Sequence, residues 1–94
     1  MTKYIIISRM TEHGAETLKK HPERIKEVNE ELEEIGVRVL EQFFVLGRFD
    51  FLTIVEAEDE KAISNTVVEL MARGTIKTET FMAIPIDDFI ASLE

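Results

Sequence analysis

At 94 residues, with 45% apolar and 32% charged side chains, the chain is sized for one globular domain whose small core self-association would enlarge. A formal charge of −8, from 19 acidic against 11 basic residues, works against phosphate-backbone binding, and no apolar run is long enough to cross a bilayer, so neither nucleic acid nor membrane is expected as a partner. With no cysteine and only His13 and His21 there is no material for a disulfide, thiol chemistry or structural zinc, and no metal or cofactor is expected.

The start, Met1-Thr2-Lys3-Tyr4, lacks the layout of a signal peptide, so a cytoplasmic location is the default expectation. Scarce Asn and Gln with abundant Glu lean toward the composition of heat-adapted proteins. Tyr4-Ile5-Ile6-Ile7-Ser8 is a β-branched run without alternation, which predicts a central strand covered on both faces. Met10 to Gly14 reads as a turn in which Thr11 caps a short helix through Leu18-Lys19-Lys20. His21 precedes a proline and is pushed off helical angles, whereas Pro22 suits a first helical position. From there Ile25, Val28, Leu32 and Ile35 recur at helical spacing, and Gly36 stands at the stop. The other face of this helix carries Glu23, Lys26, Glu27, Glu30, Glu31, Glu33 and Glu34. It reads as a solvated face with Lys26 paired to Glu30 in preference to a cation-binding ladder.

The second strand, Val37 to Leu46, sets Val37, Val39, Phe43 and Val45 against Arg38, Leu40, Gln42, Phe44 and Leu46. The third, Phe49 to Glu56, sets Phe51, Thr53 and Val55 against Asp50, Leu52 and Ile54. Between them Leu46-Gly47-Arg48-Phe49-Asp50 predicts a tight β-hairpin with a charged tip, Gly47 permitting the turn. Neither strand has a cleanly polar side, so a sheet with helices on one face would leave an apolar face for a second subunit to cover. Asp59 caps the next helix, whose inward stripe is Ile63, Val67, Leu70 and Met71 and whose stop is Gly74. A fourth strand runs from Ile76 to Ile84, Pro85 ends it, and residues 86–93 form a short terminal helix read as a packing or subunit-contact segment.

This order defines an α+β fold, a ferredoxin-like βαββαβ arrangement over residues 1–94. It has a four-stranded antiparallel sheet with helices on one face. Right-handed crossovers place the third strand between the first and second, and the fourth beyond the first. Three polar segments then meet at one sheet edge: Arg9 to Gly14, Gly47 to Asp50 and Gly74 to Thr78. They bring Arg9, His13, Arg48, Asp50, Lys77 and Thr78 near one another. Asp50 with His13 is the sharpest catalytic candidate, because a carboxylate can orient an imidazole toward general-base work. The stronger reading has the Asp50 carboxylate bonding nearby backbone N–H groups or capping the helix after Thr11. Arg9 and Arg48 are candidates for an anionic ligand, or for ion pairs with Asp50 or Glu12. Thr78 and Thr80 place two hydroxyls on one face of the fourth strand, where Tyr4, Ser8 and Thr53 would join them as a half-polar lining under the subunit contact. The candidate ligand set is thus Arg9, Arg48, Asp50, Thr78 and Thr80. Phe43, Phe44, Phe51 and Phe81 read as core or interface packing.

The chain resembles the GYD family in the order and spacing of several landmarks: Thr11-Glu12-His13-Gly14, Pro22-Glu23-Arg24, Gly36, Leu46-Gly47-Arg48-Phe49-Asp50, Val55-Glu56-Ala57, Gly74 and Thr78-Glu79-Thr80-Phe81 with Ala83. Phe49 stands where the family's signature has tyrosine, so no role here depends on that phenol. The resemblance implies a ferredoxin-like α+β barrel assembled from subunits as a dimer or higher homo-oligomer, and no particular activity. The functional expectation is a small-molecule-binding or regulatory module with its pocket between the open sheet face and a partner subunit. A cofactor-independent enzyme using Asp50 and His13 for proton transfer, and a purely structural interaction module, stand as alternatives.

Overall fold

The computed structural model describes residues 1–94. The elements run β1 (Thr2–Met10), α1 (Glu12–Lys20), α2 (Arg24–Glu34), β2 (Val37–Phe44), β3 (Phe51–Ala57), α3 (Glu60–Ala72), β4 (Ile76–Ala83) and α4 (Ile86–Ser92). The strands form one sheet in the order β2-β3-β1-β4, with every neighbouring pair antiparallel, as the crossover rule requires of this element order.

Residues directly opposite one another share a face, so the register sorts the sheet into two sides. On the side carrying the helices lie the rows Phe44–Phe51–Ser8–Thr78, Gln42–Thr53–Ile6–Thr80 and Val39–Val55–Tyr4–Met82. The core forms there, from Tyr4, Ile6, Val37, Val55 and Ala57 of the sheet against Leu32 of α2 and Ile63 and Leu70 of α3. The open side carries Phe43–Leu52–Ile7–Glu79 and Glu41–Ile54–Ile5–Phe81, and no helix covers it. Both sides are mixed: Ser8, Thr53, Thr78 and Thr80 sit among the apolar residues under the helices, and Ile5, Ile7, Leu52, Ile54, Phe43 and Phe81 share the bare face with Glu41 and Glu79.

The local stops and caps are those the residue types dictate. The Thr11 side chain accepts from Gly14 N–H (3.1 Å) and the Asp59 carboxylate from Ala62 N–H (2.8 Å), each supplying a helix N-terminus with an acceptor. Gly36 and Gly74 adopt φ of 94° and 75°, left-handed angles that disfavour a Cβ. Pro22 and Glu23 form a turn just before α2 and are not its first residues, and α1 already begins at Glu12.

Three features differ from the sequence reading. A bulge between Val39 and Glu41 inserts Leu40 into β2, so Phe43 turns to the open face while Gln42 turns beneath the helices and Phe44, on the same side, stays exposed at the strand end. The hairpin is wider than a tight turn, because β2 ends at Phe44 and β3 begins at Phe51, with the loop closed by Val45 N–H donating to the Asp50 carbonyl (2.7 Å). Asp50 gives its own N–H to the Ser8 carbonyl (2.8 Å), which continues the β1 pairing, and Gly47 is not at positive φ. Third, the inward stripe of α3 is Ile63, Thr66 and Leu70, with Met71 nearly half exposed.

Thr66 is fully buried and its hydroxyl has no hydrogen-bond partner. Thr66→Val keeps the shape and removes that unpaired group, so it should stabilise the fold by about 1 kcal/mol. A melting temperature at or below that of the parent would show that the hydroxyl is satisfied in solution.

Candidate functional site

The polar edge forms where the topology puts it. Asp50 Oδ2 accepts the Met10 N–H (2.8 Å), Thr11 N–H donates to the Thr75 carbonyl (2.9 Å), and the Thr11 hydroxyl donates to the Gly74 carbonyl (2.7 Å). The three segments are therefore stitched through backbone groups. The Asp50 carboxylate is occupied in holding the end of β1, and no hydrogen bond or ion pair joins it to His13. His13 is exposed, and its carbonyl accepts the Thr17 hydroxyl (2.9 Å). Arg9, Arg48 and Lys77 are exposed, and neither arginine pairs with Asp50 or Glu12. Thr78 and Thr80 do share a face with Ser8, Tyr4 and Thr53, but it is the helix-covered face and not the open one; their hydroxyl oxygens are enclosed and unpartnered.

A cavity of about 240 Å³ lies on that covered side, between α1, α2, the start of β4 and the sheet. Ile6, Leu18, Ile25, Val28, Leu32, Phe51, Leu70 and Ile76 supply its apolar lining, and Ser8, Asn29, Gln42, Thr53, Arg24 and Arg73 its polar groups. Asn29 donates to Gln42 Oε1 (2.8 Å), and Gln42 reaches the Thr53 hydroxyl (3.4 Å), a short polar chain from helix to strand. The bulge at Leu40 is what turns Gln42 inward. Sequence reasoning missed this site because Gln42 and Arg73 become neighbours of one cavity only through the bulge and through the packing of α2 beside the end of α3.

The helix face read as solvated is more structured than Lys26–Glu30 pairing would make it, and those two residues form no ion pair. Glu31 instead accepts from Arg24 Nη1 (2.8 Å) and Arg73 Nη2 (2.7 Å), tying α2 to the residue that ends α3. Arg24 also meets Glu27 (3.3 Å), and Glu27 meets His21 Nε2 (3.1 Å). The hydrogen bond from His21, then that from Arg24, holds Glu27 below the ordinary carboxylate value of 4.5; Arg24, then Arg73, does the same for Glu31. The two glutamates in turn raise Arg24, Glu31 more than Glu27. Because the folded-state values are depressed, this contribution to stability is present above the ordinary carboxylate range and is lost as pH falls through the lowered values. Urea midpoints followed from about pH 5 to about pH 2 should fall less steeply for Arg24→Ala than for the parent, and parallel curves would remove the cluster from the acid response. All these groups are near the surface, so the effect is small.

Four antiparallel strands in this order, helices on one face and a bare apolar face on the other define a ferredoxin-like α+β domain. The chain belongs to the GYD family, whose model, described as GYD domain, matches residues 4–93. It is 52% identical over 95 residues, covering 100% of both chains, to a Thermus thermophilus protein named glutamine synthetase and cystathionine beta-lyase binding protein. Among solved structures it is similar to MtbAldR, with a TM-score of 0.69 at 19% identity, covering 89% of this chain and 52% of that one, so it spans about half of that longer chain. It is also similar to FFRP-DM1, with a TM-score of 0.63 at 22% identity, covering 89% of this chain and 100% of that one. At such identities the two structures share the fold alone. No helix is long and apolar enough to cross a membrane.

Proposed function

We propose that this protein is a binding and regulatory module that attaches to metabolic enzymes, with glutamine synthetase and cystathionine β-lyase as its first candidate partners. The observation that carries this reading is the 52% identity, over 100% of both chains, to the relative named for binding those two enzymes. The disposition of Asp50 supports binding over catalysis: its carboxylate is engaged with the Met10 N–H and forms no pair with His13. The open face supports self-association as part of the same proposal, which places the protein in the cytoplasm beside its enzyme partners. Ile5, Ile7, Leu52, Ile54, Phe43 and Phe81 lie together there across four strands, an apolar area of the kind that a second subunit covers. A small-molecule pocket between that face and the second subunit is the finer form of the reading. Calorimetric titration of the purified protein into each enzyme, with serum albumin as control, tests it. Saturable binding to at least one enzyme is expected, and heats matching those of albumin for both would overturn the assignment. Light scattering gives the accompanying mass, expected to be a multiple of the 10.8 kDa chain.

A further inference from the structure

We infer that the cavity under α1 and α2 is a binding site for a compact apolar molecule ending in a hydrogen-bond acceptor group. The site is independent of the protein-binding proposal and of the open sheet face. The pocket is partly open to solvent, and its volume of about 240 Å³ exceeds the roughly 150 Å³ that holds benzene in a closed cavity, so a phenyl ring with a short tail fits. Half of the lining residues are apolar, with Ile6, Leu18, Ile25, Val28, Leu32 and Leu70 offering the contacts that hold such a ring.

The polar groups are biased toward donors. Arg73 lines the cavity, and its Nη2 is shared between Glu31 (2.7 Å) and Glu69 (3.3 Å), but its Nη1 is enclosed with no partner. An enclosed guanidinium nitrogen left without an acceptor is costly, and a ligand oxygen placed there recovers the missing bond. Asn29 and Gln42 each retain a second amide hydrogen beyond the Asn29–Gln42–Thr53 chain. Glu27, Glu31 and Glu69 already balance the charges of Arg24 and Arg73, so the ligand needs an acceptor and not a full negative charge. A carbonyl head group satisfies the site.

The test is an amide-resolved NMR titration of the whole chain with hydrocinnamamide, and with propylbenzene as the match lacking an acceptor. Hydrocinnamamide should shift the backbone amides of Ile6, Val28, Thr53 and Arg73 saturably, and bind about tenfold tighter than propylbenzene. Arg73→Met should reduce that preference, with Asn29 and Gln42 left as the remaining donors, while leaving both compounds able to bind. Val28→Phe takes up part of the space and should weaken both compounds while the protein stays folded. Arg73→Met also releases Glu31 and Glu69; if it does not fold, the ratio measured on the parent together with Val28→Phe decides. Shifts scattered away from the cavity, equal affinities for the two compounds in the parent, or binding undiminished by Val28→Phe would overturn the inference.

Discussion

Gly14→Ala is expected to destabilise the protein by about 3 kcal/mol, on the order of 15 °C in melting temperature for a chain of this length. A Cβ built on Gly14 would lie 2.0 Å from the Thr75 carbonyl oxygen and 2.9 Å from its carbon, and both of these are backbone atoms that no rotamer change can remove. Thr75 cannot retreat freely either, because its carbonyl accepts the Thr11 N–H (2.9 Å) and the adjoining Gly74 carbonyl accepts the Thr11 hydroxyl (2.7 Å). Helix propensity pulls the other way, since Ala is favoured over Gly inside a helix by about 1 kcal/mol. The overlap wins because α1 must lift off the α3–β4 loop to relieve it, which also breaks the two Thr11 bonds. Gly47→Ala is the control, its nearest neighbour being Val45 Cγ1 at 3.8 Å with no positive φ to satisfy, and it should leave stability within a few tenths of a kcal/mol. Thermal unfolding of the two variants side by side checks both; a Gly14→Ala protein melting within a few degrees of the parent would mean that α1 is not seated on Thr75.

The second large effect is expected at Asp50. Asp50→Ala leaves the Met10 N–H, partly buried at the end of β1, without its acceptor (2.8 Å), at a cost of about 2 kcal/mol. Asp50→Asn keeps an oxygen in place and loses only the charge-assisted share of the bond, so it should cost less than half as much. Urea unfolding ranks the three proteins, and hydrogen exchange at Met10 should quicken in the alanine variant first. Full stability in Asp50→Ala would return the carboxylate to the pool of groups free to handle protons.

The parts of the fold that the sequence announces are those set by neighbours along the chain. Thr11 and Asp59 are three residues ahead of the amides they cap, and Gly36 and Gly74 stand where a left-handed residue ends a helix. Strand order follows from element order and handedness alone. What lies beyond reach depends on contacts between distant segments. Val39-Leu40-Glu41 carries no glycine or proline to mark its bulge, yet that one extra residue decides whether Phe43 or Gln42 points at the helices. Ser8, Thr53, Thr78 and Thr80 do fall on one face, as strand periodicity has it, but their hydroxyls argue for the subunit side; they lie instead among the core residues under the helices, and a second, largely apolar face is left open. The buried Gly14 gives no local sign that its missing Cβ makes room for a carbonyl some sixty residues away. The cavity rests on the same kind of information, because Arg24, Gln42 and Arg73 come from three elements that meet only in the folded chain.

The central place of β1 bears on how the molecule comes together in time. β1 has no adjacent partner in sequence: Ser8 pairs with Phe51 on one side and with Thr78 on the other. Closing such distant pairings costs chain entropy before any contact repays it, which slows folding relative to a helical bundle of equal size. Until the β2–β3 hairpin emerges and captures it, Tyr4-Ile5-Ile6-Ile7 is a bare aggregation-prone strand. The Asp50 bond to Met10 and the Asp50 N–H bond to Ser8 lie at the seam where that capture is made, so their loss should appear in the refolding rate as well as in the final stability.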